Sequence, residues 1–92
     1  MPNVRILAPS QCRGARGLLG WSQEDLADRA KVSRSTVKDF ETERHGLQPG
    51  TERLLMDALE AGGVVLIAAG DAGPGVRLTR ATPVSTPRTE TE

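Results

Sequence analysis

Residues 21–41 read WSQEDLADRAKVSRSTVKDFE, and this stretch decides the fold. Ser22 is an N-cap by type: its hydroxyl can accept an orphan N–H one turn into a helix, and Asp25, three residues on, completes a near-capping box. Leu26, Ala27 and Ala30 then share one helical face. After Lys31 and Val32, Ser33 supplies a second cap, and Val37, Phe40 and Glu41 point to one side of the helix it opens. Two short capped helices about three residues apart have the dimensions of a helix-turn-helix. A small residue at Ala27 lets the helices cross closely, Val32 and Val37 fill the space between them, and Leu26 and Phe40 tie the pair to a core.

Working outward, Pro9 and Ser10 signal a helix start, and Cys12, Ala15, Leu18 and Leu19 fall on one side of a helix that Gly20 stops. Gly14 and Gly17 weaken that helix by about 1 kcal/mol each relative to alanine, so packing must hold it. Downstream, Gly46, Pro49 and Gly50 punctuate a loop, and Thr51 is the expected cap of a helix running to about Ala61 with Leu54, Leu55, Ala58 and Leu59 as its apolar face. Gly62 and Gly63 end it. Val64–Ile67 has the β-branched, apolar character of a strand, the segment 70–75 is turn-rich, and Val76–Leu78 is the returning strand. A short strand is also expected from Val4, Ile6 and Leu7. The fold class is therefore mainly α: four to five short helices with a helix-turn-helix, plus a small C-terminal β-hairpin. The organisation is an N-terminal arm over 1–9, the helix-turn-helix domain over 10–62, a hairpin over 63–79 that is a candidate dimerisation element, and a Thr- and Pro-rich tail over 80–92 with a disordered composition.

The segments WSQEDLA and VSRSTVKDFE, with the proline-containing loop that follows, resemble the lambda-repressor-like, or XRE, helix-turn-helix family over about residues 11–61. The resemblance implies a sequence-specific, usually dimeric binder of double-stranded DNA that represses or autoregulates transcription. It places Ser33, Arg34 and Ser35 at base edges, with Asp39 one turn on. Gln23, Thr36, Lys38 and Arg44 fall at phosphate-contacting positions, and Arg16 and Glu41 at an internal salt bridge between the first and third helices. Two features depart from the family's pattern. Lys31 occupies a turn position that usually carries glycine, where positive φ is costly; Asp39 can accept from cytosine N4 but repels phosphate.

Physical chemistry supports parts of this independently. A guanidinium such as that of Arg34 can bond guanine O6 and N7 together, for about 1–3 kcal/mol of discrimination. The helix N-terminus beside Gln23 suits an anion. Against the reading stands the charge: 12 basic and 12 acidic residues cancel in a chain of 92, whereas phosphate binding usually draws on a cationic excess. Arg13, Arg16, Arg34, Lys38 and Arg44 nevertheless cluster in or near the reading segment. The neutral balance keeps open a protein-binding helix-turn-helix of antitoxin-like or anti-activator type.

Other classes lack support. Cys12 is the single cysteine and His45 the single histidine, so neither a disulfide, a metal site nor a nucleophile–base set is indicated, and no enzyme activity or cofactor is expected. Trp21 and Cys12 are expected in the core. The GDAGPG run lacks the Walker lysine and the strand-to-helix setting of a nucleotide loop. Without an apolar run of membrane-spanning length or a signal segment, a cytoplasmic protein is expected. A domain this small buries only about 60% of its unfolded surface, so dimerisation would be an economical source of extra stability, and the spare strand segments are its natural site.

Overall fold

The computed structural model describes residues 6–80. Four helices, α1 (Pro9–Leu19), α2 (Gln23–Ala30), α3 (Arg34–Glu41) and α4 (Pro49–Gly62), precede an antiparallel hairpin of β1 (Val64–Ile67) and β2 (Gly75–Leu78). Val64 pairs with Leu78, Val65 with Arg77, Leu66 with Val76 and Ile67 with Gly75. One core joins the elements: Cys12 and Ala15 from α1, Leu26, Ala27 and Ala30 from α2, Val37 and Phe40 from α3, Leu55, Met56 and Leu59 from α4, Val64 from β1, and Leu7 ahead of α1, with the half-buried Val76 and Leu78 of β2 packed against it.

The caps form as their chemistry requires. Ser22 Oγ accepts from Asp25 N while Asp25 Oδ2 accepts from Ser22 N, at 3.0 and 2.9 Å, a reciprocal box that also holds the Asp25 carboxyl below its ordinary range. Ser33 Oγ accepts from Thr36 N at 3.1 Å. Lys31 closes α2 in the left-handed region at φ 64°, and Glu43, just past α3, adopts φ 63°.

Several sequence expectations are corrected. Ile6 and Leu7 form no strand, and Val4 lies outside the described residues, as do most of the expected arm and tail. Leu7 instead buries its side chain and donates its N–H to Glu52 Oε2 at 2.8 Å; a side chain satisfies that donor where a ladder would have. α4 begins at Pro49 with Gln48 as N-cap, so Thr51 lies inside the helix rather than capping it. The preset φ of a proline suits the first helical position and moves the start three residues toward the N-terminus, from a cap at Thr51 to one at Gln48. On that helix Met56 is buried and Leu54 is exposed; on α1 Gln11 is buried and Leu18 is exposed. For Gln11 the cause is the hairpin, which packs on α1 and takes both of its amide donors, a partner that a lone amphipathic stripe does not anticipate. Trp21 is only half-buried. It sits at the rim, with the Arg29 guanidinium 4.4 Å from its ring centroid and its six-membered edge against Gly62, where an added Cβ would come within 2.6 Å of the ring. Gly62 is therefore required by that close approach, not by its place near the helix end.

The hairpin is anchored by one neutral side chain. Gln11 Oε1 accepts from Ala8 N at 2.9 Å, and Gln11 Nε2 donates to Ile67 O at 2.9 Å and Gly75 O at 3.0 Å. With 4% of its surface exposed, this amide uses its acceptor and both donors, as a buried polar group must.

Candidate nucleic-acid interface

The site begins with how α3 is held. Val37, Phe40 and Glu41 face inward, so the opposite side carries Ser33, Arg34, Ser35 and Lys38, all exposed, with Thr36 and Asp39 half-buried at its margin. Ser33 and Thr36 hydroxyls lie 2.8 Å apart and Ser33 and Ser35 hydroxyls 3.4 Å apart, forming a polar cluster over the first turn. One long cation, Arg34, projects from that turn. The free N–H groups of a helix start add partial positive charge at the same place.

Beneath this face lies a charged knot around Glu41, which is 2% exposed. Arg16 grips the carboxylate with both arms of its fork, Nε to Oε2 at 2.8 Å and Nη2 to Oε1 at 2.7 Å. Its third arm, Nη1, donates to Trp21 O at 3.0 Å. Gln23 Nε2 donates to Glu41 Oε1 at 3.1 Å, Arg13 Nη1 donates to the Glu41 carbonyl, and the buried Cys12 thiol interacts with the same carboxylate. Burial acting alone would raise the Glu41 pKa, but the bonds from Arg16, Cys12 and Gln23 outweigh it and hold the carboxyl below its ordinary range. Burial, with Glu41 beside it, pushes the Cys12 thiol far up, so it stays protonated. The knot welds α1, the start of α2 and the end of α3 into one body.

The knot sorts the cations that sequence alone groups together. Arg16 turns inward to the Glu41 carboxylate, and Arg13, though exposed, spends its guanidinium on the Glu41 carbonyl. Arg34, Lys38 and Arg44 remain exposed, and the turn carrying Arg44 is closed by its N–H donating to Asp39 O at 2.8 Å. Gln23 is intermediate: its amide is engaged with Glu41, while its backbone N–H stands at the first turn of α2. Asp39 borders a shallow cavity of about 330 Å³ shared with Ser35, Thr36, His45, Gln48 and Thr51. The structure thus brings the start of α4 and the single histidine against the flank of α3. Sequence reasoning did not include His45, Gln48 or Thr51 in the site, because their only signal is a loop that folds back. Gln11 was likewise missed, being a polar residue at an apolar-facing position.

These features define a helix-turn-helix module with a solvent-facing second helix. The helix-turn-helix domain family matches residues 11–69, from the first turn of α1 to just past β1, and the chain belongs to that family of DNA-binding modules. No curated protein matches the sequence significantly. No described helix is long and apolar enough to cross a membrane.

Proposed function

We propose that this protein is a sequence-specific reader of double-stranded DNA of the XRE type, a cytoplasmic transcriptional repressor or autoregulator that places α3 in the major groove. The observation that carries this is the exposed first turn of α3, Ser33–Arg34–Ser35, presented on a helix whose far side is locked by Val37, Phe40 and Glu41. Arg34 pairs with guanine, Ser33 and Ser35 touch neighbouring bases, and Asp39 accepts from a cytosine N4. Thr36, Lys38, Arg44 and the backbone N–H of Gln23 contact phosphates, fixing register without reading sequence. The molecule works by binding and occlusion, with no catalysis, cofactor or metal, and as a homodimer on a two-fold operator.

A titration of duplex DNA from the gene's own upstream region against a random duplex, across salt, tests the reading. Binding to the upstream DNA should be tighter, should weaken steeply with salt, and should lose about 1–3 kcal/mol of its preference in Arg34→Ala. Failure to bind either duplex at low salt would reject it. The neutral charge of the chain favours a second reading in that event, a protein-binding helix-turn-helix of antitoxin-like or anti-activator type, for which a pull-down is the next measurement.

A further inference from the structure

The hairpin is a two-stranded sheet, and among the described residues both of its outer edges bear unpaired backbone groups. Thr79 N donates to Gly63 O at 2.9 Å, while Gly63 N donates to Glu60 O, so at 63/79 the backbone groups of the ladder point inward. Alternation along the register then makes 65/77 and 67/75 bonded pairs and turns the N–H and C=O groups of Val64, Leu66, Val76 and Leu78 outward. Among the described residues, none of these outward groups finds a partner. Side-chain alternation settles the faces: Val64, Leu66, Val76 and Leu78 look toward the helices, while Val65, Ile67 and Arg77 look to solvent, with Val65 37% and Ile67 39% exposed.

We infer that β1, and not β2, is the homodimer interface, with two copies of β1 pairing antiparallel about a two-fold axis to give a continuous sheet in the order β2-β1-β1-β2. This rests on the dimeric reading above and names its surface and its partner, a second copy of this chain. Symmetry and charge select the edge. A two-fold axis normal to the sheet pairs each strand with its own copy and keeps side chains on their faces. On the β2 edge a register centred on residue 77 brings the two Arg77 guanidinium groups together, where like charges facing across strands are destabilising, and one centred on residue 76 sets each Arg77 against Gly75, which has no side chain to pack. On the β1 edge the residues that meet on the solvent face are Val65 and Ile67, β-branched side chains that pack well across strands. The outward groups of Val64 and Leu66 gain hydrogen bonds in the same step. Exposed branched residues without a charge on a free edge are otherwise an aggregation hazard, so self-pairing accounts for a feature the DNA-reading face leaves unexplained.

Sedimentation equilibrium of the full chain, without DNA, tests this. The native protein should show twice the chain mass. The exposed-face variants Val65→Lys/Ile67→Lys and Val65→Glu/Ile67→Glu should each fall to the single-chain mass with helix content retained by circular dichroism. An equimolar mixture of the two should return to twice the mass, and Arg77→Ala should remain dimeric. A native protein at single-chain mass across the concentration range, or a lysine variant that still doubles, overturns the inference. Oligomeric state is read here without DNA, so this result and that of the salt titration stand or fall separately.

Discussion

Two parts of this small molecule are held by buried polar groups of opposite kind. The reading unit is pinned by a charged knot, in which Glu41 accepts from Arg16 and Gln23. The hairpin is pinned by a neutral amide, Gln11, reaching two strand carbonyls. A buried charge without its partners costs several kcal/mol, whereas an unsatisfied neutral group costs about 1–3. The difference implies a hierarchy: the position of α3 is enforced steeply, and the hairpin's attachment more gently. A reading helix must not shift by even an ångström against base edges, while an edge strand that recruits a partner tolerates more play.

Removing the charged centre should have the largest effect. Glu41→Ala strands Arg16, Gln23 and the Cys12 thiol, and Arg16 is itself only 18% exposed, so a loss of about 3–5 kcal/mol is expected. A core of this size has little more than that to lose, and urea denaturation should find the variant largely unfolded. A variant whose midpoint barely moves would show that the knot is incidental.

The same centre predicts a pH profile. The Glu41 carboxyl has its pKa lowered by folding, so it releases its proton more readily folded than unfolded. Its stabilisation is fully present above the unfolded carboxyl value of about 4.3 and is lost as pH falls through the lower folded value. Cys12 has the opposite sign: its pKa is raised by folding, so stability is unaffected in neutral solution and declines once pH passes the free thiol value of about 8.5. Denaturation midpoints across pH should fall at both ends. Cys12→Ser should remove the alkaline limb, and persistence of that limb in the variant would trace it to another group.

Cutting the neutral tie should do less, and locally. Gln11→Leu leaves Ala8 N without its acceptor and removes the donor that Ile67 O and Gly75 O share, for an expected loss of about 1–3 kcal/mol. Amide hydrogen exchange should quicken in β1 and β2 and leave α2 and α3 protected. Uniform loss of protection would mean that the hairpin and the helices open as one unit and that the hierarchy is wrong.

The same contrast governs what the sequence made legible. The helix-turn-helix was readable because its determinants are local: Ser22 and Ser33 cap the turns that follow them, and the spacing of Leu26, Ala27, Ala30, Val37 and Phe40 marks one face. The hairpin was readable from Val64–Ile67 and the glycines around it. Its docking was not. Gln11 bonds residues more than 50 positions away, partners that local spacing cannot reveal, and Leu18, placed on the apolar stripe, faces solvent. Leu54 and Met56 exchange roles on α4 in the same manner. At the candidate interface, type and position marked Ser33, Arg34 and Ser35 and the family resemblance marked Lys38, but only the fold separates Arg13 and Arg16, whose guanidinium groups are engaged with Glu41, from Arg34, Lys38 and Arg44.

The smallest predicted effect contrasts the two turns that join these regions to their neighbours. Each uses the left-handed region: Lys31 at φ 64° between α2 and α3, and Gly63 at φ 119° between α4 and β1. Only glycine enters that region freely; other residues pay about 1–2 kcal/mol there. Gly63→Ala should therefore destabilise by about that amount. Lys31→Gly should do the reverse, but by less, because the glycine also enlarges the entropy of the unfolded chain; a net gain of about 0.5 kcal/mol is expected. The Lys31 side chain is exposed and, among the described residues, makes no hydrogen bond that glycine would forfeit, so thermal denaturation reads the backbone contribution with little packing loss. If Lys31→Gly stabilises the fold while weakening duplex binding, the lysine is retained at a strained turn for its charge toward phosphate. If binding is unchanged, the strain is merely tolerated, and the lysine plays no part in reading DNA.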